Sequence, residues 1–258
     1  ILFALAIIIP VGWVLLASLK ENTEFYQNPW SLPAGLYFAN FARAWREAHM
    51  GEYFLNSVIV TAMALGILLI VALPAAYVLA RYLFGGRRLI RTLFMGGLFI
   101  NVSYIVVPIF LMLVDAGNLI GSPIFLNNRF VLALVYASTA LPFTIYLLSS
   151  YFQTLPKEYE EAAYVDGSGY MQTMIRVMIP MARPSVITVI LFNFLSFWNE
   201  YIIALTLMTQ DRAKTLPVGL MNLMKAQNAA AQYGQMYAGL VMVMLPTLIL
   251  YILVQKKL

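Results

Sequence analysis

Residues 155 to 180 read LPKEYEEAAYVDGSGYMQTMIRVMIP, a polar stretch that lies between two long apolar runs of the chain. Pro156 suits the first turn of a helix, where its missing N–H does no harm. The three glutamates that follow place negative charge at the positive end of the helix dipole. Gly167 then supplies a left-handed stop that ends the helix. The stretch predicts a short, acidic, exposed helix that is tied at both ends to apolar segments.

The two flanking runs, and four more along the chain, have the length of membrane spans. A helix needs about 20 mainly apolar residues to cross a ~30 Å hydrocarbon layer. Backbone N–H and C=O groups find no water partner in lipid, so each span is expected to be helical. The sequence therefore predicts an all-α membrane protein with about six transmembrane helices, namely Ile1–Leu19, Phe54–Leu79, Leu93–Val114, Phe130–Tyr151, Ser185–Leu207 and Tyr237–Val254.

The composition agrees with a lipid environment and gives little support to an enzyme. The 258 residues are 62% hydrophobic and 10% charged, whereas soluble domains carry roughly 45–50% apolar and about 25% charged residues. The net charge of +5 is small and scattered, so a nucleic-acid partner is not expected. The chain has no cysteine and a single histidine, His49, which excludes thiolate and His–His metal sites. It also lacks the phosphate-binding loop G-x-x-x-x-G-K-[ST], so no cofactor site is expected in this chain.

Basic residues predict the orientation of the spans. Four arginines crowd the short connection between the second and third spans, at positions 81, 87, 88 and 91. Lys256 and Lys257 are expected on the same side, and short basic loops usually face the cytoplasm. We therefore expect this face and both termini to be cytoplasmic. The chain begins inside an apolar run and ends in a basic tail, so both termini are expected to be truncated.

The spacing within the polar stretch is that of a known motif. Glu161-Ala162-Ala163 is followed after three residues by Gly167, and after nine more by Val177-Met178-Ile179-Pro180. This resembles the EAA loop of binding-protein-dependent ABC importer permeases, whose pattern is E-A-A, three residues, G, nine residues, I-x-L-P. The two departures, Val177 and Ile179, are conservative in shape and polarity.

Other segments are similar to the carbohydrate branch of that family, to which the G subunit of the maltose transporter belongs. They are Phe197-Trp198-Asn199-Glu200-Tyr201 and Thr215-Leu216-Pro217-Val218-Gly219-Leu220. The resemblance implies a MetI-like permease fold, with a single transmembrane domain over residues 1–258 and a coupling loop within 153–184. It implies a sugar, or a glycerol-phosphate-like solute, as cargo.

The family resemblance also implies partners and a coupling site. The short helix is expected to dock on a separate ATPase subunit, which binds ATP and Mg²⁺. Two ATPase subunits, a second related permease forming a heterodimer, and an extracytoplasmic solute-binding protein complete the expected assembly in a bacterial inner membrane. The residues expected to couple this chain to the ATPase are Glu161, Ala162, Ala163, Asp166, Gly167 and Pro180.

Glu200 is a carboxylate within an apolar run, and an ionisable group in a span is by default a functional hypothesis. It is predicted to bind a sugar hydroxyl, to pair with the partner permease, or to reach the outer interface and do neither. The candidate solute path is Trp198, Asn199, Glu200 and Tyr201. The alternative function is an ion-coupled secondary transporter, but that class usually carries several intramembrane charges and an internal repeat.

Overall fold

The structure is a computed structural model that describes residues 2–230 and 232–255. Ile1, Lys256 and Lys257, which entered the predictions above, lie outside the described residues. Within the described part every element is helical. The α-helices are α1 Leu2–Ser18, α2 Asn22–Gln27, α3 Ala39–Arg46, α4 Met50–Arg81, α5 Arg87–Gly97, α6 Val102–Ile120, α7 Arg129–Thr154, α8 Glu158–Val165, α9 Tyr170–Thr173, α10 Ile179–Met181, α11 Arg183–Trp198, α12 Ile202–Leu207, α13 Leu216–Ala230 and α14 Tyr233–Val254; a π-helical turn covers Met174–Met178 and a 3₁₀ turn covers Asp211–Ala213.

The chain divides into two compact units. The first comprises Ile1–Val58 and Met208–Leu250, and the second comprises Ile59–Leu207 and Tyr251–Leu258. The predicted short helix and the candidate solute path both belong to the second unit.

Four helices of the described chain, α4, α6, α7 and α14, are long and apolar enough to cross a membrane. A fifth span is present if the bent pair Tyr170–Met181 and Arg183–Trp198, which turns by 75°, counts as one. The first predicted span is the 17-residue apolar helix α1. The predicted spans in the middle of the chain at 54–79 and 130–151, and the last at 237–254, are confirmed as α4, α7 and α14.

The prediction of one continuous helix over Leu93–Val114 is wrong. The helix α5 ends at Gly97, and α6 begins at Val102. The side chain of Asn101 accepts the backbone N–H of Ser103 at 2.9 Å and so caps a new helix. The span consequently shifts toward the C-terminus and takes in Asp115, an exposed carboxylate that the predicted boundaries had left outside.

The prediction of one continuous helix over Ser185–Leu207 is also wrong. The helix α11 ends at Trp198, and α12 begins at Ile202. The carboxylate of Glu200 accepts the backbone N–H groups of Ile203 at 2.7 Å and Ala204 at 3.0 Å. The break is thus stabilised by a side chain that satisfies the free donors at the start of a helix.

Buried polar contacts join the elements of the first unit. The Asn40 amide donates to the carbonyls of Ser18 and Lys20. The Lys20 ammonium is only 1% exposed and donates three hydrogen bonds, to the carbonyls of Asn28 and Pro29 and to the hydroxyl of Ser31. Since an ammonium has three donors, the buried charge of Lys20 is fully solvated by the loop that follows it.

The second unit packs α7 against α5 and α11. Leu132, Leu148 and Phe152 of α7 and Val189 of α11 are fully buried. One buried polar pair lies among them, since the Asn193 amide donates to the Thr144 hydroxyl at 3.1 Å. This core supports the loop that carries α8.

Candidate coupling site

The polar stretch forms a short helix where the sequence predicts one. The helix α8 begins at Glu158 after the N-cap residue Lys157, so Pro156 precedes the helix and does not lie in its first turn as predicted. The predicted stop is confirmed. Gly167 has φ +79°, and its N–H donates to the carbonyl of Tyr164 at 3.0 Å. A left-handed φ is strained for residues with a Cβ, so this position favours glycine.

One glutamate of α8 points inward, to the end of α4. The Glu160 carboxylate accepts a hydrogen bond from the Tyr77 hydroxyl at 2.7 Å and lies 3.2 Å from Nε of Arg81. The Arg81 and Glu160 side chains are only 7% and 13% exposed. Tyr77 and Arg81 are one helical turn apart, so a single face of α4 holds this carboxylate.

Two further contacts attach α8 to the same region. The Arg81 guanidinium donates to the carbonyl of Pro156 at 3.1 Å, and the hydroxyls of Tyr82 and Tyr164 lie 2.8 Å apart. Burial and the hydrogen bond with Tyr164 raise the pKa of Tyr82 to about 12, so this phenol stays neutral at physiological pH. Glu160 and Tyr164 are one turn apart on α8 and so share a face of the helix, while the Pro156 carbonyl lies just before the helix begins.

The opposite face of α8 is open to solvent. Glu161 and Ala162 are exposed, and the Val165 side chain is 88% exposed. Ala163 is buried at 6% exposure and faces inward. This face therefore carries an exposed carboxylate and an exposed apolar side chain.

The remaining predicted coupling residues divide between two places. Asp166 is exposed and continues the open face of α8; its backbone N–H donates to the carbonyl of Ala162. Pro180 lies in the separate helix α10, beyond the π-helical turn, and is also exposed. The structure therefore groups Glu161, Ala162 and Asp166 on one surface.

Sequence reasoning missed the inward contacts of Glu160. The motif drew attention to Glu161, and Arg81 was read only as part of a cytoplasmic basic cluster. The separation of 79 residues between Arg81 and Glu160 gives no local signal of their pairing.

The residues of the candidate solute path have different surroundings. Trp198 is only 2% exposed, and its ring stacks on Phe194 with the centroids 5.6 Å apart. The Asn199 amide donates to the carbonyl of Leu195 within its own chain segment. Tyr201 is half-buried. The ring of Trp198 is thus packed inside the protein, and its place in a solute path stays a prediction.

Glu200 makes a third contact besides the cap of α12. Its Oε2 atom accepts the hydroxyl of Tyr136 at 2.8 Å, and Tyr136 is only 1% exposed. A cavity of about 280 Å³ lies beside this pair, and the hydroxyl-bearing residues that line it include Ser103, Thr139 and Ser196. Among the described residues no cluster of three or more His, Asp or Glu side chains could hold a metal ion.

The secondary-structure elements of the described residues are all helices, several of them long and apolar enough to cross a membrane, and the short acidic helix α8 follows one of these in the chain; the arrangement is compatible with a membrane transport component. Residues 31–256 match the family model of the binding-protein-dependent transport system inner membrane component, and the chain belongs to this family. The family is that of ABC importer permeases, as the EAA spacing indicated, and its members work with an ATPase and a solute-binding protein.

Individual relatives are similar over the whole chain. The diacetylchitobiose uptake system permease protein NgcG of Streptomyces coelicolor is 39% identical over 257 residues, covering 100% of this chain and 83% of the relative. The melibiose/raffinose/stachyose import permease protein MelC of Bacillus subtilis is 30% identical, covering 98% and 88%. A crystal structure of a bacterial ABC transporter that imports the acidic polysaccharide alginate superimposes with a TM-score of 0.82 at 26% identity, covering 99% of this chain and 92% of that chain.

Proposed function

We propose that this chain is the permease subunit of an ATP-driven importer whose cargo is a mono- or oligosaccharide. The observation that carries the proposal is the similarity of the whole of this chain to NgcG, a diacetylchitobiose uptake permease. MelC and the trehalose/maltose permease MalG of Thermococcus litoralis are further relatives. Three relatives named for different sugars support a carbohydrate cargo and leave the particular sugar open.

The open face of α8 is the proposed docking surface for the ATPase. Glu161 supplies a free carboxylate, Ala162 permits close approach, and Val165 supplies apolar area. ATP and Mg²⁺ bind on the ATPase subunits, so this chain supplies no catalytic group. In the proposed orientation α8 and the arginines that follow α4 face the cytoplasm.

The proposed assembly contains this chain, a second related permease, two ATPase subunits and an extracytoplasmic solute-binding protein. No nucleic acid takes part. The cavity beside Glu200 is the candidate solute path in this subunit, because hydroxyls and a carboxylate suit the hydrogen-bonding groups of an uncharged sugar.

Affinity purification of the protein from its native membranes, followed by mass spectrometry, tests the proposal. We expect an ATPase subunit and a second permease to co-purify with the wild type. Glu161→Arg reverses the charge on the open face and is expected to release the ATPase, whereas Glu47→Arg, at an exposed glutamate of the first unit, is expected to retain it. Absence of any ATPase from the wild-type sample would refute the importer proposal and favour a secondary transporter.

A further inference from the structure

The contacts of Glu160 suggest a task that differs from docking. α8 has two faces, and the docking proposal uses only the open one. Residues of α8 and the loop before it contact the last turns of α4 and the residue after it at three points: the Pro156 carbonyl before the helix, the Glu160 carboxylate, and the Tyr164 hydroxyl.

The central attachment, called the joint below, consists of the Glu160 carboxylate, the Arg81 guanidinium and the Tyr77 hydroxyl, and it is shielded from water. Both partners of the Arg81–Glu160 pair are largely buried, and Tyr77, which is fully buried, donates to the same carboxylate. Charge-assisted hydrogen bonds are shorter and stronger than neutral ones, and breaking a buried pair leaves an uncompensated charge. The joint therefore resists separation of α8 from α4.

Aromatic rings surround the joint and restrict its side chains. The Tyr77 ring contacts those of Tyr82, Phe152 and Tyr170, with centroids 5.6–5.8 Å apart. Tyr82 in turn packs on Tyr170 at 5.2 Å. Such packing leaves little room for Tyr77 to change rotamer, so its hydroxyl is held toward the Glu160 carboxylate.

We infer that Glu160 is a positioning residue that transmits the movement of the coupling helix to the transmembrane helix α4 through Arg81 and Tyr77. This inference rests on the proposed function, because it requires an ATPase that moves α8. The two neighbouring glutamates then have different roles. Glu161 binds the ATPase, and Glu160 transmits the displacement of α8 to the transmembrane helix α4.

The inference is tested on the assembled transporter, purified with its ATPase subunits and reconstituted in proteoliposomes with the solute-binding protein. ATP hydrolysis and uptake of radiolabelled N,N′-diacetylchitobiose, maltose and raffinose are measured in parallel. We expect Glu160→Gln to retain the ATPase and its hydrolysis. The number of ATP molecules hydrolysed per sugar imported should rise about tenfold, because loss of one charge-assisted hydrogen bond shifts an equilibrium by roughly that factor.

Three further variants separate transmission from folding. Tyr77→Phe removes one hydroxyl only and is expected to raise the same ratio by a smaller factor. The charge exchange Arg81→Glu with Glu160→Arg is expected to restore coupling toward the wild type. Glu47→Gln, an exposed carboxamide control in the first unit, is expected to leave hydrolysis and uptake unchanged.

The outcomes distinguish the two proposals. If wild type assembles and imports sugar, and Glu160→Gln and Tyr77→Phe both import it at the wild-type ratio, the transmission role is refuted while the importer stands. If Glu160→Gln fails to assemble, the number of ATP molecules hydrolysed per sugar imported by Tyr77→Phe is the test: a wild-type value refutes the transmission role, and a raised value supports it. If the wild type contains no ATPase, the importer proposal itself fails.

Discussion

Replacement of Glu200 by alanine tests whether this carboxylate is a structural cap or a solute ligand. The change removes the acceptor of two backbone N–H groups at the start of α12 and of the Tyr136 hydroxyl. Loss of a helix cap costs about 0.5–2 kcal/mol. A buried hydroxyl left without a partner costs about 1–3 kcal/mol. Hydrogen bonds between membrane helices average nearer ~0.6 kcal/mol, so we expect the lower half of the sum, about 2–3 kcal/mol.

The free energy of unfolding is measured in mixed detergent micelles by titration with a denaturing detergent, with tryptophan fluorescence as the probe. Trp198 lies two residues from the change and is buried, so it reports on this region. Tyr136→Phe serves as the matched variant, since it removes the orphaned hydroxyl. We expect the double variant to cost less than the sum of the single variants, because in it no buried hydroxyl remains unpaired.

A different result would refute the cap. If Glu200→Ala unfolds at the wild-type detergent concentration while sugar uptake in the assembled transporter is lost, Glu200 acts on the solute and contributes nothing to the start of α12. If the effects of the two single variants simply add, the contact between Tyr136 and Glu200 carries no energy.

Two further predictions concern the first unit. A Cβ on Gly219 would clash with the ring of Tyr53, so Gly219→Ala is expected to destabilise the protein by about 1–3 kcal/mol through overpacking. The control is Gly66→Ala in the second unit, where a Cβ would meet nothing within 4 Å. It is expected to stabilise the helix by about 0.5–1 kcal/mol, measured by titration with the denaturing detergent. Equal free energies of unfolding for the two variants would contradict the clash between position 219 and Tyr53. Lys20→Met removes three hydrogen bonds of a buried ammonium and is expected to cost about 1–3 kcal/mol. Limited proteolysis should then cut faster between residues 21 and 36, and an unchanged cleavage rate would show that the ammonium does not hold this loop.

Much of the fold follows from local signals. Long apolar runs predict helical spans because unpaired backbone groups are costly in lipid, and α4, α7 and α14 lie where the runs lie. The end of α8 was predictable because Gly167 tolerates a left-handed φ. The breaks at 98–101 and 199–201 were not predicted, since each interrupts a long apolar run by only a few residues, and the capping roles of Asn101 and Glu200 leave no clear signal in the sequence.

From the sequence alone one could predict the apolar spans, the helical architecture and the short acidic helix α8, because each depends on composition, caps and spacing within a short segment. Only the tertiary structure decided that Glu160 faces inward while its neighbour Glu161 stays free, and that Glu200 caps a helix. Arg81 and Glu160 are 79 residues apart, and Tyr136 and Glu200 are 64 apart. Contacts over such separations are set by how helices pack, and packing depends on the whole surface of each helix.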